Sequence, residues 1–328
     1  PRGHAIEARI YAEDPSAGFF PAAGRLVTVS WPVRPDVRID AGYASDDVIP
    51  AAYDPMLAKV VAYGTDRESA VAALRAALLD TIAAGVPTNL PWLIDLLNHP
   101  ATRQGRATTR TAGEVRPTMP DRATALIAAV AHALDRSRGN AADPWTVIGP
   151  FRASGSATLT FHGDDWEERV GVHRGAAGWE ISLDGVTTPI RWWRDPAGVW
   201  TVATHETLAR VAVIEREDGI EVCGNGGRWL VRSGPRPVAE VARRQRASDG
   251  RVRAPLPAKV LRVHGKVGDR VERGQPLVTL SAMKMELVCD APAPGIIETV
   301  SCRVDDLVTA DQLLVELRIA GEDAALSS

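Results

Sequence analysis

One lysine stands out among the residues whose chemistry could be put to use. Lys284 lies in Ala282-Met283-Lys284-Met285-Glu286, with a methionine on each side in a chain that has only 4 methionines. A lysine amine can be acylated when it is exposed and not tied into an ion pair. The alternative is an ordinary surface lysine beside two core methionines. The surroundings favour the first reading. Residues 254–280 lay without a gap on residues 291–317: Ala254, Pro255, Val267, Asp269, Gln275 and Leu280 recur as Ala291, Pro292, Val304, Asp306, Gln312 and Leu317. Lys284 therefore sits between two copies of one β unit, and an internal repeat of this kind fixes architecture.

Other reactive residue types carry less. Cys223, Cys289 and Cys302 form an odd set without metal-ligand spacing, which fits buried or half-buried free thiols in a reducing cytoplasm. His99, His132, His162, His173, His205 and His264 share no spacing and read as solvated or locally bonded rings. Asp164-Asp165 and Glu167-Glu168 read as a solvated turn rather than a Mg²⁺ site, so no metal is expected. No Gly-x-x-x-x-Gly-Lys-Ser/Thr loop is present. The net charge of −3 excludes a generally basic nucleic-acid binder. No apolar run approaches the roughly 20 residues of a membrane span, and Pro1-Arg2-Gly3-His4 is no secretory signal. A chain that opens with Pro1 reads as part of a longer protein.

The elements that must position these residues fall into three groups. His4–Tyr11 alternates with period two and predicts a strand; further strands are expected at 25–29, 36–39 and 56–62. Asp66-Arg67-Glu68-Ser69 opens a helix to Asp80, with Val71, Leu74, Leu78 and Ile82 at helical spacing and Gly85 closing the segment. Pro91 begins a second helix through Asn98. The stretch 120–138 is apolar almost all round, so it predicts a helix buried on every side. About eight short strands follow between 156 and 232, with hairpin turns at Asp184-Gly185 and Asp218-Gly219. A barrel closed around the helix would satisfy both halves. Trp166, Trp179, Trp192, Trp193 and Trp200 fall in that region and read as core packing. Residues 243–250 are polar and Arg-rich and read as a solvated linker. The expected fold class is an α+β N-terminal lobe, then an antiparallel β-barrel around a helix, then a flattened all-β barrel with a pseudo-twofold repeat.

The third group resembles the biotin carboxyl carrier domain of biotin-dependent carboxylases. The residues that carry the resemblance are Ala254-Pro255-Leu256-Pro257-Ala258, Gly268-Asp269, Gly274-Gln275 and Ala282-Met283-Lys284-Met285-Glu286. The resemblance implies biotin in amide linkage to Lys284. Met283 and Met285 would be a surface read by biotin protein ligase or a partner site, and Ala282 and Glu286 would give recognition or local structure. Lipoyl domains share the fold, but their lysine usually follows Asp, so the paired methionines favour biotin. Three positions depart from the pattern: Ala258 for Gly, Ser281 for Glu, and Asp305 where a turn glycine is common. A left-handed turn at Asp305 would cost something relative to Gly.

The first group resembles the C-terminal lobe of biotin carboxylase. The matching segments are residues 3–15 (Gly3 to Pro15), Val37-Arg38-Ile39-Asp40, Tyr53-Asp54-Pro55-Met56-Leu57-Ala58-Lys59 and Gly85-Val86-Pro87-Thr88-Asn89. By this resemblance Arg38 would contact biotin and stabilise the enolate-like charge formed when N1 loses its proton. Its permanently charged planar fork suits an oxyanion. The alternative is a strand arginine paired with Asp36 or Asp40. His4, Glu7, Arg9, Asp54 and Lys59 read as structural. The barrel resembles the subunit-tethering domain of acyl-CoA carboxylase α subunits, with Asp143-Pro144-Trp145 its nearest signature.

Together the resemblances imply domains at 1–114, 115–238 and 251–318, a linker at 239–250 and a disordered tail at 319–328. They imply the C-terminal part of an acyl-CoA carboxylase α subunit of the 3-methylcrotonyl-CoA or propionyl-/acetyl-CoA type, leaning to methylcrotonyl-CoA. The whole enzyme would use MgATP and bicarbonate. Its partners would be a carboxyltransferase β subunit and biotin protein ligase, in a hetero-oligomer, with no nucleic acid and no membrane. The family's ATP-grasp region would precede Pro1, so this stretch alone should be inactive. The rival reading is a non-catalytic biotinylated carrier or scaffold with a vestigial lobe.

Overall fold

A computed structural model describes residues 2–51, 53–118, 121–137, 157–175, 178–236, 250–282 and 285–319. The chain divides into two compact units, one of residues 1–20, 24–48 and 56–236, the other of residues 21–23, 49–55 and 237–328. All of the expected linker at 239–250 but Gly250, all of the expected tail at 319–328 but Ile319, and Asp143-Pro144-Trp145 lie outside the described residues, and Ile319 ends strand Leu313–Ile319 instead of opening a disordered tail. No helix among the described residues is long and apolar enough to cross a membrane.

The first unit begins with a small antiparallel sheet. Strands His4–Tyr11 and Val37–Ala41 both pair with the central strand Met56–Gly64. Alternation sends Ala8, Ile10, Val60 and Ala62 to one face, where they are buried. Helix Arg67–Asp80 covers that face with Ala70, Val71, Leu74 and Leu78. The helix starts where Asp66 and Ser69 form a reciprocal capping box. The Ser69 backbone N–H, 2.8 Å from the Asp66 carboxylate, helps hold that carboxyl below its ordinary range. The helix ends at Asp80, and Ile82 does not extend its apolar stripe. Thr81 turns extended (ψ 130°), its hydroxyl donates to the Ala77 carbonyl, and Ile82–Ala84 becomes a strand paired with Thr28–Ser30. Helical spacing alone could not show this, because the pairing partner lies some fifty residues upstream. Helix Leu90–Asn98 follows, with Pro91 in its first turn. Buried Asn89 ties it to the first strand: its side chain accepts from the Tyr11 N–H at 2.9 Å and donates to the Arg9 carbonyl at 3.1 Å.

The rest of the first unit is a closed barrel of eight antiparallel strands in sequence order, from Ala157–His162 to Gly227–Ser233. Helix Ala123–Ser137 is threaded into its core. Ala125, Ala128, Ala129, Val130 and Ala131 have no exposed surface and pack against inward residues such as Val172, Val202, Val211 and Val222. Two polar anchors hold the last turns of the helix. Asp135 takes Arg194 at 2.6 Å and the Trp192 indole N–H at 3.3 Å, while Arg136 meets Glu215 at 3.0 Å. His132 faces the barrel wall instead of water. Trp200 lies against its edge and Glu215 stands 3.4 Å away. Burial lowers its pKa, and Glu215 only partly opposes this. His162 is also buried, 3 % exposed, with Nδ1 2.9 Å from the Gly234 carbonyl. Of the two alternatives, solvated or locally bonded, neither ring is solvated, and each finds its neighbour on another element of the barrel. Trp200 and Trp229 are core, Trp166, in the turn before its strand, and Trp179 and Trp192 pack on it, and strand parity leaves Trp193 half exposed on the outer face. Glu167 and Glu168 belong to a strand rather than a turn, and Glu168 pairs with Arg122 at 2.7 Å.

One buried carboxylate joins barrel to lobe. Glu221, on barrel strand Gly219–Gly224, is 1 % exposed. One oxygen accepts from the Gly85 backbone N–H at 3.1 Å and the Cys223 thiol at 3.2 Å. The other accepts from Arg216 at 2.6 Å and Arg228 at 3.1 Å. Burial alone would raise the Glu221 pKa, but the hydrogen bonds and charges of Arg228 and Arg216 bring it down to about 2. Burial, the Glu221 charge and its hydrogen bond keep the Cys223 thiol protonated.

The second unit shows the repeat in its hydrogen bonds. Its two four-stranded sheets have the orders 251–253, 313–319, 295–300, 270–271 and 285–290, 276–282, 258–263, 307–308. Lys266 N–H bonds to the Asp269 carboxylate at 2.9 Å, and Arg303 N–H bonds to that of Asp306 at 2.7 Å. Glu272 N–H meets the Gln275 side chain at 3.0 Å, and Thr309 N–H meets that of Gln312 at 2.9 Å. The Asp and Gln retained in both copies are thus turn-closing acceptors. Gly268 and its counterpart Asp305 are both left-handed, φ 95° and 74°.

Candidate functional site

The Lys284 hairpin is built from strands Pro276–Ala282 and Met285–Asp290. Their ladder runs Leu280 to Leu287, Ser281 to Glu286 and Ala282 to Met285. Leu277, Val278 and Leu280 are completely or almost completely buried, so the ladder stands on the core of the unit. Ala282 is buried and Glu286 exposed. Met283, Lys284 and the Met285 side chain lie outside the described residues. Two residues thus separate the closing pair. Ser281 pairs with Glu286 on one side and Lys259 on the other, so the departure from Glu leaves the ladder regular.

Arg38 belongs to the first unit, on the face of the small sheet opposite the helix. Its side chain is 72 % exposed, and Nη2 lies 3.2 Å from Asp40. The register places Glu7, Val61 and Arg38 in one row and Arg9, Lys59 and Asp40 in the next. Arg9 and Glu7 pair at 3.0 Å, and that hydrogen bond raises the Arg9 pKa. Three cations and two carboxylates therefore share this face, a net charge of about +1 when all are ionised. The pair with Asp40 aims the Arg38 guanidinium along the strand, yet at this exposure it contributes only roughly 0–1 kcal/mol. The fork can exchange it for an anionic or oxyanionic ligand. Arg9, Lys59 and Asp40 share the face because strand parity puts them there; the sequence signal was the alternation itself.

What this geometry can do is limited and specific. It offers a guanidinium for a developing oxyanion in one unit and a two-residue hairpin with a lysine in the other. No group of three or more His, Cys, Asp or Glu able to hold a metal occurs among the described residues. Cys223, Cys289 and Cys302 are free and buried, and burial pushes the Cys289 thiol up to about 11. None is arranged as a nucleophile.

Comparison with known proteins matches two stretches of the chain to families. Residues 7–113 match the family "Biotin carboxylase C-terminal domain" and residues 250–317 match "Biotin-requiring enzyme". The methylcrotonoyl-CoA carboxylase subunit alpha of Dictyostelium discoideum is 27 % identical over 336 residues, covering 93 % of this chain and 47 % of its own. The propionyl-CoA carboxylase alpha chain of Mus musculus is 29 % identical over 337 residues, covering 96 % of this chain and 46 % of its own. The Rattus norvegicus methylcrotonoyl-CoA carboxylase subunit alpha is 44 % identical over 110 residues, 33 % of this chain and 15 % of its own. The chain thus resembles alpha subunits of biotin-dependent carboxylases along nearly its whole length, and spans about half the length of those first two relatives.

Proposed function

We propose that this chain is the biotin-carrying C-terminal part of an acyl-CoA carboxylase α subunit. The observation that carries the reading is the hairpin: an alanine–methionine pair closes around Met283-Lys284 between two hydrogen-bonded copies of one β unit. Residues 1–114 act as the biotin carboxylase lobe, 115–238 as the subunit-tethering barrel and 251–318 as the carrier. The stretch 239–250 is a tether that sets the carrier's effective concentration at each site it visits. Biotin in amide linkage to Lys284 supplies a ureido nitrogen able to take up and release a carboxyl group. Ala282, Met283, Met285 and Glu286 present the lysine to biotin protein ligase. Arg38 would hold the ureido oxygen of biotin with its guanidinium fork, which suits negative charge at that atom. MgATP and bicarbonate enter through the ATP-grasp part of the full-length enzyme.

The carboxyl group then passes to an acyl-CoA on a partner carboxyltransferase β subunit, in a hetero-oligomer working in a reducing cytoplasm. The acyl group is methylcrotonyl-CoA or propionyl-CoA, since alpha subunits of both carboxylases are among the relatives matched along nearly the whole chain. The test uses the full-length protein with MgATP and radiolabelled bicarbonate. Label should become bound to wild type, be absent from Lys284→Arg and fall at least tenfold in rate in Arg38→Gln, a loss of about 1.4 kcal/mol of transition-state stabilisation. Label retained by Lys284→Arg, or an unchanged rate in Arg38→Gln, contradicts the corresponding role.

A further inference from the structure

The seam between lobe and barrel contains a cavity that the proposed carboxylation does not use. It has a volume of about 150 Å³ and lies between residues 81–91 of the lobe and the barrel hairpin that joins strands Gly219–Gly224 and Gly227–Ser233, with Asp14 to Ser16 on a third side. Pro15, Ala83, Val86, Leu90 and Pro117 form its apolar lining. The hairpin is pressed close. Asn225 and Gly226 are left-handed, φ 51° and 73°, and a Cβ on Gly226 would stand 2.4 Å from Ile94 Cδ1. The cavity is therefore a space left beside a tight contact rather than a general looseness of the seam.

The charged groups at this cavity already have partners. Asp14 accepts from the Ser16 N–H at 2.9 Å and Arg228 donates to Glu221 at 3.1 Å, while Arg216 shares the same carboxylate. The charged residues that line the cavity are Asp14 and Arg228, one of each sign, so the lining carries no net charge to favour an ionic ligand. The Thr81 hydroxyl is also engaged, with the Ala77 carbonyl. An apolar cavity of roughly 150 Å³ is large enough to accept benzene.

We propose that the seam cavity is a binding site for a small, uncharged, apolar molecule about the size of a six-membered ring. Such a molecule touches lobe and barrel at once, so it binds only when the two are seated and stabilises that arrangement by mass action. The site needs neither biotin nor Arg38, and stands or falls independently of the proposed function.

The probe is benzene, added to the whole 328-residue chain and followed by methyl NMR of valine and leucine and by thermal unfolding. The proposal predicts saturable shifts at the Val86 and Leu90 methyls and a rise of the first unit's melting temperature with benzene concentration. Ala83→Leu and Ala83→Val place carbon inside the cavity. They should weaken the benzene response at least tenfold while leaving the fold of the second unit unchanged. If Ala83→Leu does not fold, Ala83→Val and the wild-type titration still decide. Absence of shifts at Val86 and Leu90 in wild type at benzene saturation overturns the proposal. So does an undiminished response in a folded filled variant.

Discussion

Replacing Glu221 by Gln perturbs the seam at its most buried charge. The substitution keeps shape and removes one negative charge from between Arg216 and Arg228. A carboxyl held at about 2 in the folded chain, against an ordinary 4.5, corresponds to about 3 kcal/mol of stabilisation at neutral pH. Breaking a buried pair typically costs about 3–5 kcal/mol. Both arginines keep a third or more of their side-chain exposure, 33 % and 45 %, which places the expected loss nearer about 2–3 kcal/mol. At roughly 2–4 °C per kcal/mol for a body of this size, the first unit's transition should fall by about 5–10 °C. Differential scanning calorimetry on the whole chain reads this directly, and the second unit's transition should not move. The direction with pH follows from a depressed folded pKa. The wild-type advantage is fully present above the unfolded value of 4.5 and is lost as pH falls towards about 2. A Glu221→Gln chain whose first transition lies within a degree of wild type at pH 7 would refute the seam argument. A difference that persists unchanged at pH 2 would refute its electrostatic origin.

Three further outcomes are expected. Gly268→Ala places a side chain at φ 95° with nothing within 4 Å to clash, so the cost is conformational, about 1–2 kcal/mol, seen as a lower midpoint for the second unit only. Burial lowers the His132 pKa in the folded barrel, so the unfolded chain binds more protons just below the ordinary value of 6.5. Stability of the first unit should therefore rise with pH through that window, and His132→Phe should flatten the slope in urea titrations; an equal slope in the variant counts against it. Lys284→Arg should abolish streptavidin binding after co-expression with biotin protein ligase while leaving both thermal transitions in place; a labelled variant moves the attachment site elsewhere.

Much of the second unit was legible because its repeat is local: each copy carries its own Asp and Gln turn closures, and the two copies close them with the same hydrogen bonds. The cost of Asp305 was readable for the same reason, since its counterpart is Gly268. The helix at 123–137 was legible from its missing polar face, because only burial on every side explains it. For Arg38 strand parity left both Asp36 and Asp40 open as partners, and the structure pairs it with Asp40. What the sequence hid was non-local. Ile82–Ala84 looks like the end of a helix until Thr28–Ser30 is there to pair with it. Glu221 looks like any polar strand residue, since its partner Gly85 lies 136 positions away and its arginines come from two other barrel strands. Trp193 was misassigned to the core because adjacent tryptophans on one strand must face opposite sides.

Whether Lys284 carries biotin is decided by peptide mass spectrometry of the chain made with biotin protein ligase. The expected result is the mass of one biotinyl group on the peptide containing Ala282 to Glu286, localised by fragmentation to Lys284. An unmodified peptide from a ligase-proficient host, a lipoyl mass in its place, or biotin on another lysine would contradict it.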